Sequence, residues 1–133
     1  MRRRSLLLAP ASAFAVRAQT RAEILDLITP LASGLSDGDP GLFMKQISPA
    51  MPDYSKLRDS VYALTQQFVA TSSIELIRHQ DGEAELDWYM QIVSRETEAI
   101  VDRRREAVSV RVGKDGKIVS ISPIGFFAPP KVR

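Results

Sequence analysis

In the stretch "IVDRRREAVSV", residues 100–110, Arg104 stands between Asp102 and Glu106 at alternate positions. Alternation along a strand puts all three on one face. An arginine flanked by acids there could bind a polar ligand, or activate water with Glu106 as the base. Val108, Val110 and Val112 occupy the same parity and read as a core face. Isolated charges inside a core cost on the order of several kcal/mol each. Two arrangements satisfy that constraint. Either a β-bulge near Arg105 switches the faces, or the three charges line a wet pocket.

A second group surrounds "AELDWYMQI", residues 84–92, which holds the only tryptophan. Asp81-Gly82 between two alternating runs predicts a two-residue hairpin turn. If Gln80 pairs with Glu83, His79 faces Ala84, Ile77 faces Leu86 and Glu75 faces Trp88. The face with Leu86, Trp88, Met90 and Ile92 is the more apolar and should look inward. Ile74, Leu76, Tyr89 and Val93 then fall on the outer face, where they could form an interaction patch. Glu75 against an indole in an apolar pocket would have a raised pKa and could act as an acid or base. The candidate catalytic residues are therefore Glu75, Arg104 and Glu106. The candidate ligand-binding set is Trp88, Met90, His79 at the rim, and Tyr62 from a preceding helix. Trp88 also reads as a plain core anchor. Arg78 opposite Glu85 reads as an exposed cross-strand ion pair, contributing about 0.2–1 kcal/mol.

The elements that must position these groups can be read in order. Thr20 and Glu23 have capping-box spacing, and Ile24, Leu27, Ile28, Leu31 and Leu35 recur at helical spacing behind them. Pro30 should bend that helix or end its regular hydrogen bonding early. Asp39-Pro40 opens a short helix through Ile47, and "SPAMP" is a loop. Asp53 caps a third helix to about Ala70, with Leu57, Val61, Leu64 and Phe68 on its apolar face. From Ser72 the period becomes two. Four antiparallel runs follow, the third over Ala99–Val112 and the fourth over Lys117–Phe127. This is an α+β plan in which helices must cover one face of a meander sheet. Residues 128–133, "APPKVR", read as a loose tail.

At 133 residues the chain holds one domain. Residues 1–18 have an arginine-rich start, a short apolar run and no acid, the layout of a secretory signal peptide. Arg3-Arg4-Ser5-Leu6-Leu7 partly fits a twin-arginine signal, and a mitochondrial presequence is the rival reading. The apolar run is too short for a membrane span, which needs about 20 residues. Of 18 basic residues four lie in this leader, so the remainder carries 14 against 16 acids. A nucleic-acid partner loses its support, because that reading needs a basic folded domain. With one histidine and no cysteine, neither a metal set nor thiolate chemistry is expected. No cofactor motif is present.

The order of elements resembles the nuclear-transport-factor-2-like superfamily, which includes SnoaL-like polyketide cyclases and ketosteroid isomerases. The likeness spans about residues 20–127, with "DGKI" and the closing "FF" the most similar stretches. The resemblance implies a cone: a strongly curved sheet wrapping helices, a pocket open at one end, and dimerisation through the outer sheet face. The isomerase trio of two acids and a tyrosine has no counterpart here. Arg104 two residues from Glu106 resembles one feature of epoxide hydrolases of this fold. The expected product is an exported small-molecule-binding domain over 19–127, periplasmic or secreted, homodimeric and free of membrane contact. Its ligand would be apolar or partly polar. The alternatives are a cofactor-free lyase, isomerase or hydrolase with Glu75 or Glu106 as base, and a dimeric interaction module with a vestigial pocket.

Overall fold

The computed structural model describes residues 20–131, so the leader lies outside it. Helix α1, Arg21–Asp37, begins at the expected capping box: the Thr20 side chain accepts from the Glu23 backbone, and the Glu23 carboxylate accepts from Thr20. Pro30 does not end the helix. Ile28 and Leu31 on either side of it are buried, and their packing outweighs the hydrogen bond that proline removes. Helix α2, Pro40–Met44, is capped by Asp39 and is shorter than expected. Ile47 instead bridges in parallel to Ile118. The two helices meet closely at Gly34, where a Cβ would lie 2.7 Å from the Asp39 carbonyl oxygen. Helix α3, Tyr54–Gln67, follows, with Leu57, Val61 and Leu64 buried.

Four antiparallel strands complete the fold as a meander: β1 Phe68–Gln80, β2 Glu83–Ser94, β3 Ile100–Val112 and β4 Ile118–Ser122. β1 takes over directly from α3, four residues earlier than the change of period suggests. Phe68 and Ala70, which could have extended the helical face, alternate inward as strand residues. The Asp81-Gly82 turn is present, with both residues at positive φ. It sets Gln80 opposite Glu83 and His79 opposite Ala84 as the register arithmetic requires. Beyond Arg78 the arithmetic fails, because a bulge at Ile77 removes one residue from the pairing. Leu76, not Ile77, faces Leu86, and Ile74, not Glu75, faces Trp88. A one-residue slip turns every later side chain over. Leu76 is therefore buried, Ile74 packs on the core, and Ile77 and Glu75 are exposed.

In β3 the expected bulge near Arg105 is absent. The irregularity lies at Val101, between the pairs Ile92–Asp102 and Val93–Ile100. β4 is shorter than the apolar pattern implied. It ends at Ser122, opposite Ser109, and the chain turns through a 3-10 segment, Ile124–Phe127. Pro123 has no N–H to continue a ladder, so departure there costs no hydrogen bond.

The core joins the inward faces of α1–α3 to Leu86, Trp88, Met90, Ile92, Val108 and Val110. Trp88 is its largest member and is 0% exposed. Its indole N–H donates to the Ser72 hydroxyl at 2.9 Å. The rings of Phe127 and Phe126 meet it edge-on at centroid distances of 5.1 and 6.0 Å. Phe127 also meets Phe43 at 5.4 Å, tying α2 to the same cluster. Trp88→Ala should cost about 3–5 kcal/mol, the range for large aromatics removed from cores. Trp88→Phe keeps a ring but loses the bond to Ser72, for a smaller loss of about 1–2 kcal/mol. Denaturant unfolding of the two variants checks this; a Trp88→Ala chain as stable as the parent would contradict it.

Candidate functional site

The three candidate catalytic residues do not converge. Glu75 is exposed on the outer face opposite Asp87, not against the indole. Glu106 pairs with Trp88 in the ladder but is exposed. β4 has already ended at this level of the sheet, so no strand flanks it on the side away from β2. Arg104 does project to the inner side, where its side chain is only 17% exposed. Its Nε donates to Asp102 at 2.8 Å, and its Nη1 donates to the carbonyls of Phe126 at 2.8 Å and Ala128 at 2.5 Å. The charged run is thus accommodated by neither sequence-level arrangement. An ion pair and two backbone acceptors satisfy the guanidinium, as a partly buried charge requires.

Ala128 consequently belongs to the packed structure and not to a loose tail. The interior that Trp88 and Met90 were expected to line is occupied by the chain's own Phe126 and Phe127. Met90 is as fully buried as Trp88. His79 is half-buried near the hairpin turn and borders a polar cleft of about 350 Å³ with Arg78, Glu85 and Arg111. Tyr62 is exposed on α3 and borders a separate depression beside Gly38 and Pro40. Among the described residues no three His, Cys, Asp or Glu side chains converge as a metal site. No helix among them is long and apolar enough to cross a membrane.

The outer sheet face carries the better-organised polar chemistry. Arg105 grips Asp87 with two hydrogen bonds, Nε at 3.0 Å and Nη2 at 2.6 Å. Those bonds, and the guanidinium charge behind them, hold the Asp87 carboxyl below its ordinary value. Glu75, Ser73 and Tyr89 border the same shallow cleft. Arg78 and Glu85 form the expected cross-strand pair at 2.5 Å. At the other end of this face Val69, Val93 and Ile100 form one cross-strand row, with Val101 beside it. Ile100 is 45% and Val101 40% exposed. Val93 is the one member of this row expected outside from the sequence; Ile74 and Leu76, expected beside it, do not join it. They face inward.

No family profile and no curated protein matches the sequence. Solved structures do match. A protein of unknown function with a cystatin-like fold from Nostoc punctiforme superposes with a TM-score of 0.55 at 19% identity, over 76% of this chain and 86% of that one. A candidate polyketide cyclase from Xanthomonas campestris gives 0.52 at 10% identity, over 76% and 88%. A protein from Catenulispora acidiphila, solved in complex with S-DNPA, gives 0.50 at 12% identity, over 73% and 84%. At these identities the likeness concerns architecture alone. The described residues have the α+β fold of the nuclear-transport-factor-2-like and cystatin-like proteins: three helices on an antiparallel four-stranded sheet that does not close.

Proposed function

We propose that this chain is a non-catalytic, dimer-forming module of the nuclear-transport-factor-2-like fold, working through its outer sheet face. One observation carries the reading: the interior is filled by Trp88, Phe126 and Phe127, while outside Ile100 and Val101 are exposed beside the half-buried Val69 and Val93. Glu75 and Glu106 lie on opposite faces and Arg104 is engaged with backbone, so the enzymatic alternative lacks an assembled acid–base pair. The row Val69–Val93–Ile100 with Val101 offers an apolar strip on the order of a few hundred Å², the scale that marks an association surface. A second copy would cover it, and the charged pairs along the rest of the face would form the polar rim.

A second reading, small-molecule binding in the interior, is favoured by Arg104 standing as a polar group beside the aromatic cluster. The complex of the Catenulispora acidiphila protein with S-DNPA supports it by analogy of fold. Export is part of the same proposal. Cleavage after Ala18 leaves the Thr20–Glu23 capping box whole, so the mature domain keeps its first helix start.

Sedimentation at micromolar concentration should return twice the chain mass. Ile100→Lys should return the mass of one chain while leaving the melt nearly unchanged, since it alters an exposed side chain. A single-chain mass for the parent protein would sink the reading. Asp87 supplies the pH dependence. A folded-state pKa below the ordinary value of about 3.9 means its pair stabilises the fold above that pH. The contribution fades as pH falls through the lowered value. Carboxyl-carbon titration should place Asp87 below the ordinary range and return it there in Arg105→Gln. An ordinary value in the parent chain would mean the pair does not persist in solution. Finally, N-terminal sequencing of native protein should begin at Gln19; a start at residue 1 or 2 would refute export by this leader.

A further inference from the structure

β4 flanks β3 over only part of its length. The Gly113 N–H donates to the Lys117 carbonyl at 2.8 Å, and the Val112 N–H donates to the Gly82 carbonyl at 2.7 Å. Backbone groups alternate along an antiparallel ladder, so odd-numbered residues of β3 turn theirs toward β4 and even-numbered ones toward β2. The register with β2 is unbroken from Arg111 to Asp102, so the alternation holds throughout. The last pair with β4 is Ser109–Ser122. Beyond it the N–H and C=O groups of Ala107, Arg105 and Arg103 point to an open edge. No turn, loop or side-chain hydrogen bond among the described residues reaches them. Arg103, Arg105, Glu106 and Ala107 are all exposed. The opposite edge of the sheet is better guarded: β1 carries the bulge at Ile77, and α1 packs against it.

We propose that the edge of β3 from Arg103 to Ala107 is a docking slot for a short extended segment of another polypeptide, laid antiparallel in the line that β4 leaves. Unspent ladder groups are the template on which strand addition works. The slot is bounded. Pro123, where the chain departs from the sheet, closes one end, and the bulge at Val101 interrupts pairing at the other. It has room for about five residues, roughly 17 Å at about 3.4 Å each. A second copy pairing through the same edge does not fit, because its β3, Ile100–Val112, would run on into the line held by β4. Side chains specify the occupant. Arg103 and Glu106 have no ion pair, whereas Arg104 is engaged by Asp102 and Arg105 by Asp87. An antiparallel segment sets its first residue opposite Ala107, its second opposite Glu106 and its fifth opposite Arg103. The second should be basic and the fifth acidic, since opposite charges across a ladder attract and like charges repel. Ala107 leaves room for a bulky first residue. The slot lies in the plane of the sheet, and the inference does not depend on whether copies associate across the outer face.

Amide hydrogen exchange reads the edge in the free protein. The N–H groups of Arg103, Arg105 and Ala107 should exchange as solvated ones, between protected neighbours at Arg104, Glu106 and Val108. Equal protection of all six would show the edge to be covered and overturn the slot. The binding probe is the peptide Val-Lys-Val-Thr-Glu-amide, carrying fluorescein on an N-terminal glycine spacer. Its anisotropy should rise on titration with the full chain, and exchange at the three open amides should slow as it binds. The charge-swapped peptide, Val-Glu-Val-Thr-Lys-amide, should bind about tenfold more weakly. N-methylation of the probe's third residue, whose donor faces Arg105, should abolish binding, while N-methylation of the fourth, whose donor faces away, should not. Ala107→Pro removes one edge donor and should weaken binding with the melt nearly unchanged, because proline is tolerated on an open edge. No rise in anisotropy at millimolar protein, or equal binding by the two methylated peptides, would overturn strand addition. A swapped peptide that binds as tightly as the probe would overturn the charge assignment and the orientation. Should Ala107→Pro fail to fold, the methylated pair decides the matter.

Discussion

A buried indole needs both a partner for its N–H and flat apolar surface around its rings, and here the fold is arranged to supply both. Ser72 on the neighbouring strand accepts the N–H, and Phe126 and Phe127 close over the rings edge-on. The serine can reach only because the register puts Ser72 opposite Met90, one inward position from the Trp88 pair. The phenyl rings can reach only because β4 stops at Ser122 and the chain turns inward. Edge-to-face pairs are worth about 0.5–1.5 kcal/mol each beyond the area they bury. Phe43 extends the cluster to the helical layer, so one aromatic contact set binds β2, the C-terminal turn and α2.

The charges of β3 follow from that closure. Where β4 is absent, the inner side of β3 is covered by a turn that presents backbone carbonyls, and an arginine at that position is what those carbonyls require. Asp102 keeps the guanidinium neutralised. Arg104 therefore serves to hold the turn, while Glu106, one step beyond its reach, remains in water. Arg104, which suggests chemistry by type and spacing, is engaged by Asp102 and two backbone carbonyls.

Periodicity and turn chemistry carried most of the architecture. The capping box, the Asp-Gly hairpin and the even parity of β2 and β3 all hold in the structure, because each depends on local sterics and spacing alone. What failed depends on contacts between distant segments. Nothing in "IELIRH" distinguishes a strand that bulges at Ile77 from one that does not, and that single residue decides which way Glu75 points. Continuity of apolar residues carried the fourth strand to Phe127, while Pro123, visible in the sequence, was the better signal. The carbonyl partners of Arg104 lie 22 and 24 residues away and carry no side-chain signature.

The interior of the chain is closed by its own aromatic turn, while Ile100 and Val101 are exposed outside. The account therefore stands on the Trp88–Phe126–Phe127 contact. Proton nuclear Overhauser spectra with selectively labelled phenylalanine measure it most directly. The account predicts strong contacts from the Trp88 indole protons to both phenyl rings and a slowly exchanging indole N–H. An indole with no phenylalanine contacts and an N–H that exchanges at the rate of a solvated one would contradict it.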